Sequence, residues 1–449
     1  MEEGAFTDKS AQYLSEIESG LLGLPPAAMA SRVMSLVNRH EQWRGRECLN
    51  MNPAEGLMSE RGLQLLASDM ATRVTEGLPG DKEFPHYRQT EFIDEIEAMI
   101  IALARRQFGA RFCEWRPTST SMANAAVFFA LLEHGDTLLA QDLDAGGNYA
   151  YQSTGPAGLV TNRVVTIPPS GDTFEIDPDQ VDRIAQRVRP KMIVIGGGKV
   201  LFPYPLRELR AVADRVGAVL VYDAAHVGLL ISAGNFQRPL EEGAHVVTVS
   251  THKIMGGPVG GLILSNDERI AARITRRMFP GFVQTRDQNK LAALAMTLAE
   301  LESCGVQLAQ RMVGNAQALA AYLVEEGFAV LGRPGARTAT HQVFLKLGGH
   351  AANFEWRCQN ANILIPDCAL SGEVAAGRRG GARLGTHEIS RLGMGEAEMR
   401  QIANLIRRAS LDADGTAAAG LAAEVRALRA RFPKVHYSLD TVELPDPVS

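Results

Sequence analysis

In the middle of the chain, two short apolar runs each end in residues that could do chemistry. Residues 219–222 lead into Asp223, with His226 close behind, and residues 246–249 lead into Ser250-Thr251-His252-Lys253. A glycine-rich turn over 256–261 follows, then a third apolar run at 262–264. Short apolar runs bounded by turns predict buried strands. Laid side by side, the first two bring an acid and a lysine to neighbouring strand ends, where open α/β sheets bind their ligands. The chemistry that uses such a pair is that of pyridoxal phosphate. A lysine forms a Schiff base with the cofactor aldehyde, and a carboxylate keeps the pyridine nitrogen protonated so that the ring accepts electrons. Taken singly, Asp223 reads as well as a helix cap and Lys253 as a surface charge. The ordered set of Asp-x-x-His, Ser-Thr-His-Lys and glycine turn favours the cofactor.

This block resembles the cofactor-binding core of the serine hydroxymethyltransferases, and the likeness extends over residues 49–408. The resemblance implies a fold-type I α/β architecture, with a large domain built on a mostly parallel seven-stranded sheet and a smaller C-terminal α/β domain. It also assigns roles. Lys253 carries the cofactor, Asp223 meets the ring nitrogen and His226 its hydroxyl, with Ser250 and His252 beside them. Ser119, Thr120 and Ser121 open an amphipathic helix whose free N–H groups suit a phosphate; a plain helix cap is the simpler reading. The family has Ser-Gly-Ser there, so Thr120 is a departure. Glu76, in Glu76-Gly77-Leu78-Pro79-Gly80, matches the glutamate that serves the substrate hydroxyl. Arg383, in Gly381-Ala382-Arg383-Leu384-Gly385-Thr386, matches the arginine that holds the substrate carboxylate, a task suited to a bidentate fork.

Other positions depart from the family. Asn148 stands where a histidine stacks on the ring, and Tyr149 and Cys368 replace residues of the folate pocket. Val74 and Leu78 replace tyrosines flanking Glu76, and Val259 replaces an arginine after the lysine. Phe84, His86 and Tyr87 are loose candidates for the missing pair of tyrosines, with Tyr87 assigned to substrate binding. Lys199 occupies a position near the cofactor usually held by serine. There it would perturb the Schiff base or meet an anionic substrate, or else swing into solvent. Gly281, in Phe279-Pro280-Gly281, resembles the glycine that reaches the neighbouring subunit's phosphate, which implies a homodimer with shared active sites.

The rest of the chain must position these groups. At 449 residues it exceeds one simple core. The division expected is a helical extension over 1–48, a large domain over 49–300, a small domain over 301–412 and a helical extension over 413–449. A long helix over 287–326 links the two domains. Hydrophobic content of 46%, charged content of 22% and a net charge of −5 suit a globular protein with neither nucleic acid nor a membrane as partner. Five scattered cysteines without Cys-x-x-Cys spacing argue for a reducing compartment and against a metal site. The acidic, polar start is unlike a targeting peptide, and no apolar run has membrane-spanning length. A cytoplasmic location is expected.

The expected activity is aldol-type cleavage or transfer on a β-hydroxy-α-amino acid, with an aldehyde as acceptor. Several folate-pocket positions change together, which favours a folate-independent aldolase or a threonine transaldolase-like enzyme. One alternative is serine hydroxymethyltransferase proper, using tetrahydrofolate. Another is a non-catalytic, cofactor-binding paralogue that acts as a partner subunit.

Overall fold

The computed structural model describes residues 7–84, 90–374 and 376–443. Its centre is a sheet of seven strands: β1 (Phe112–Glu114), β2 (Thr137–Gln141), β3 (Arg163–Ile167), β4 (Met192–Gly196), β5 (Val219–Asp223), β6 (Val246–Ser250) and β7 (Gly261–Ser265). Their spatial order is β1-β7-β6-β5-β4-β2-β3. Only β7 runs antiparallel to its neighbours; every other pair is parallel. The expected mostly parallel sheet is thus present.

Parallel strands covered on both faces must be apolar at successive positions. Ile193 and Ile195 of β4 point into one core with Leu220, Tyr222 and Val247, while Met192 and Val194 point into the other with Val221 and Val246. The first face is closed by the amphipathic helices Pro178–Val188 and Leu206–Val216. The second is closed by α1 (Thr120–Leu131), which is apolar almost all round because it is buried almost all round.

A second sheet holds β8 (Ala329–Val330), β9 (Gln342–Lys346), β10 (Asp367–Cys368) and β11 (Gly381–Gly385), in the order β8-β9-β11-β10 and antiparallel throughout. Helices Ala351–Asn360 and Glu396–Leu411 pack over it. Leu49 and Met51 belong to this second core, because the strand Leu49–Asn50 pairs with Ile363–Leu364. Leu421, Val425 and Leu428 of the last helix join them. The small unit is therefore assembled from two distant stretches of chain, around residues 49–51 and 316–428.

The two cores share α2 (Gln288–Glu325), a helix of 38 residues. Leu291, Leu294 and Leu298 pack in the first core, and Ala316, Leu319 and Leu323 in the second. By length and composition α2 could cross a membrane, but most of its apolar stretch is buried inside the fold. The helices Asp8–Leu21 and Pro26–His40 do the opposite. Neither buries a residue, and Val33, Met34 and Leu36 are each more than half exposed.

A buried ion pair fastens the small unit to both α2 and the lysine turn. Arg391 Nη2 lies 2.9 Å from Glu300 Oε2, with both side chains almost fully buried. Arg391 Nη1 also donates to the carbonyls of Met255 and Gly256, at 3.3 and 3.4 Å. Removing one partner leaves an uncompensated charge, which costs about 3–5 kcal/mol. Arg391→Met and Glu300→Gln should each lower the urea midpoint strongly, and the double variant should lose less than the sum. Simple additivity would show that the two side chains act independently.

Candidate active site

The site grows from the C-terminal edge of the large sheet. Asp223 ends β5, flanked in register by Gly196 of β4 and Thr248 of β6. Its carboxylate is buried, with Oδ1 accepting from Ala225 N–H and Oδ2 from Asn124 Nδ2, both at 3.0 Å. Asn124 lies on α1 and accepts at Oδ1 from Thr248 Oγ at 2.8 Å. Burial raises the Asp223 pKa, while the charge of Lys253 and these two hydrogen bonds oppose the rise. Gly196 and Gly197 have positive φ, and a side chain at either would strike Asp223 or Tyr151. The turn beside the carboxylate therefore requires glycine.

Lys253 follows β6, and its Nζ lies 3.2 Å from His226 Nε2. Burial pushes the ammonium down to about 8; Asp223 pulls it upward and Arg383 adds repulsion. His226 is buried, and burial followed by the Lys253 charge holds it well below the usual range, so the ring is neutral. Among the described residues its Nδ1 has no partner. The turn is gripped from behind by Gly56, where any side chain would collide with the carbonyls of His252 and Lys253. Ser250 Oγ and His252 Nδ1 bond to each other at 3.1 Å, and burial lowers His252 to about 4.

At the start of α1, Ser119 Oγ accepts from Met122 N–H at 3.1 Å, the capping role that its residue type allows. Thr120 Oγ is buried without a partner, and Ser121 is exposed. Arg286 braces the approach to this turn. Its Nη1 donates to the carbonyls of Trp115 and Pro117, at 2.8 and 2.9 Å, and its burial lowers it to about 10.

The small unit contributes Arg383 from β11. Its Nη1 donates to the Gly198 carbonyl at 2.8 Å, and its charge reaches both Lys253 and His226. Asp223, His226, Lys253 and Arg383 therefore share one desolvated centre.

A family model described as serine hydroxymethyltransferase matches residues 28–406. The chain is 34% identical to serine hydroxymethyltransferase of Aeropyrum pernix, over 92% of its own length and 94% of that relative. It is 36% identical to that of Korarchaeum cryptofilum, over 93% and 98%. It is also 32% identical to an alpha-methylserine aldolase of a Ralstonia species, over 95% and 97%. The chain belongs to the serine hydroxymethyltransferase family.

Members of this family are fold-type I enzymes that use pyridoxal phosphate. The residues present suit that cofactor on structural grounds. A buried lysine is held near neutrality, a buried carboxylate is fixed by two donors, and the hydroxyl of Thr120 and Nδ1 of His226 are buried with nothing to bond.

Asn148 Oδ1 accepts from Ala150 N–H at 2.9 Å and caps the turn Tyr149–Tyr151. Tyr149 is 67% exposed. Glu76 starts the short hairpin Glu76–Leu78/Asp81–Phe84 and is half-buried; Asp223 and Arg383, not Glu76, are the charges that act on Lys253. Gly281 is exposed in the turn Met278–Phe282. His86 and Tyr87 fall outside the described residues. Lys199 is half-buried close to Arg383 and Cys368.

Sequence reasoning missed Asn124, Arg286 and Arg391. The only local signal was at Asn124, the single amide in an otherwise apolar helix.

A lysine near 8 is neutral in about one molecule in ten at pH 7, against about one in three thousand for an ordinary lysine. Only the neutral amine attacks an aldehyde. Uptake of pyridoxal phosphate by cofactor-free protein, followed by absorbance, should therefore speed up with pH to about 8 and then level off. A rate that still climbs at about pH 10 would mark an ordinary lysine.

Proposed function

We propose that this chain is a pyridoxal phosphate-dependent enzyme that cleaves or transfers across the Cα–Cβ bond of a β-hydroxy-α-amino acid without tetrahydrofolate. The observation that carries the reading is the shared, desolvated cluster of Lys253, His226, Asp223 and Arg383. The cofactor, when bound, supplies a sink for the electron pair left at Cα. The protein's own residues do the rest. Lys253 would be the attachment point, and Asp223 would keep a proton on the pyridine nitrogen. Neutral His226 would bond the ring hydroxyl, and Ser119, Thr120 and the N–H groups opening α1 would take the phosphate. Arg383 keeps free guanidinium donors for the substrate carboxylate after its one bond to Gly198.

Glu76 takes the proton from the β-hydroxyl, and we assign that duty to the site of a second copy of the chain. Three features support a homodimer. Glu76 sits on a short hairpin, Gly281 is exposed, and the second helix leaves Val33, Met34 and Leu36 each more than half exposed. Clustered exposed apolar side chains suit an interface between subunits.

Independence from folate rests on the pocket. Tyr149 and Cys368 replace family residues there, and Asn148 is tied into a local cap. The relative named alpha-methylserine aldolase supports aldolase-type activity. A second reading, serine hydroxymethyltransferase proper, is favoured by the relatives that carry that name at 34–36% identity. Aldehyde and glycine release from β-hydroxy amino acids, measured with and without tetrahydrofolate, separates the two. Cleavage at the same rate without folate is expected; conversion of serine to glycine only when folate is added would establish the second reading.

Arg383→Ala should retain bound cofactor but lose the spectral response to amino acids, weakening their binding roughly a hundredfold or more. An unchanged amino-acid affinity would remove Arg383 from the anchor role. Borohydride treatment followed by peptide mapping should find the cofactor fixed on Lys253; a label on Lys199 would overturn the assignment.

A further inference from the structure

A second cation stands beside Arg383 with donors to spare. Lys199 follows the Gly196–Gly198 turn at the end of β4, and its backbone is held firmly. The N–H groups of Gly198 and Lys199 both donate to the Gly146 carbonyl, at 3.0 and 3.2 Å. Among the described residues its Nζ makes one hydrogen bond, to the Leu143 carbonyl at 3.3 Å, and it lies 5.3 Å from the centre of the Phe174 ring. An ammonium has three donors, so donor capacity remains.

Asp144 and Glu373 act on Lys199 through their charge without touching it, and both accept backbone N–H groups. Asp144 Oδ1 takes the Val374 N–H at 2.7 Å, and Glu373 Oε2 takes the N–H groups of Leu370 and Gly380. Among the described residues no carboxylate forms an ion pair with Lys199, while Arg383 and the buried thiol of Cys368 flank it. The two cations repel each other, and a single carboxylate bound in the Arg383 fork leaves Lys199 with only the longer-range pull of Cys368, Asp144 and Glu373.

We propose that Lys199 receives a second anionic group, a carboxylate carried on the β-substituent of the amino acid. This rests on the function proposed above and narrows its substrate class to hydroxylated dicarboxylic amino acids. The reaction balances without any further reactant. The Cα–Cβ bond breaks and the β-hydroxyl loses its proton to a base as the carbon–oxygen bond becomes a carbonyl. The electron pair left at Cα is then closed by a proton. 3-Hydroxyaspartate would yield glycine and glyoxylate.

The test is spectral titration of the cofactor-loaded wild type with L-aspartate and with L-asparagine, a near-isosteric pair differing in one charge. Aspartate should bind at least tenfold more tightly. In Lys199→Met that ratio should fall at least tenfold, and Lys199→Arg should restore most of it. Calorimetric titration of cofactor-free protein with succinate and with its monoamide should show the same order. Equal affinities in the wild type would overturn the proposal, as would a ratio that Lys199→Met leaves unchanged. A response to asparagine and serine without a preference for aspartate defeats only the Lys199 assignment. Silence towards every amino acid defeats the proposed function as well.

Discussion

Desolvation at the edge of the large sheet is the constraint from which the site follows. Asp223 and Lys253 are both taken out of water, and each becomes tolerable only through the other and a few fixed dipoles. A buried carboxylate without partners would simply take up a proton. Asn124, Ala225 N–H and the lysine charge oppose that outcome, and Asn124 is in turn oriented by Thr248. The same dryness keeps His226 neutral and pushes the Lys253 ammonium down to about 8. Ordinary side chains thereby acquire unusual acidities from where the backbone puts them.

The small unit supplies what the sheet edge lacks. β11 brings in Arg383, while Arg391, shortly after it, reaches the turn that carries Lys253. Gly56, just after the strand Leu49–Asn50, lies against the same turn from another side. The lysine is thus clasped by segments from both ends of the chain, and its position depends on both cores being formed.

Much of this was legible from residue order because the physical signals are local. Continuous apolar runs such as residues 192–195 and 219–222 carry the mark of strands covered on both faces. The acid and lysine at their ends follow directly. What stayed hidden depends on pairing across long sequence separations. Leu49–Asn50 is a strand only because Ile363–Leu364 lies beside it, so a boundary at residue 48 does not coincide with the packing. Arg286 and Arg391 look like surface charges until the fold places backbone carbonyls around them. The amphipathic pattern of the first two helices was visible, but not what covers their apolar side.

The sharing of α2 has a mechanical consequence. A helix that is part of two cores acts as a common axle, and a sharp kink in it would break backbone hydrogen bonds in a dry interior. The small unit is therefore built onto the large one rather than hung on it as a hinged lid. The two units should melt as one cooperative block, and neither half of the chain should fold when cut away from the other.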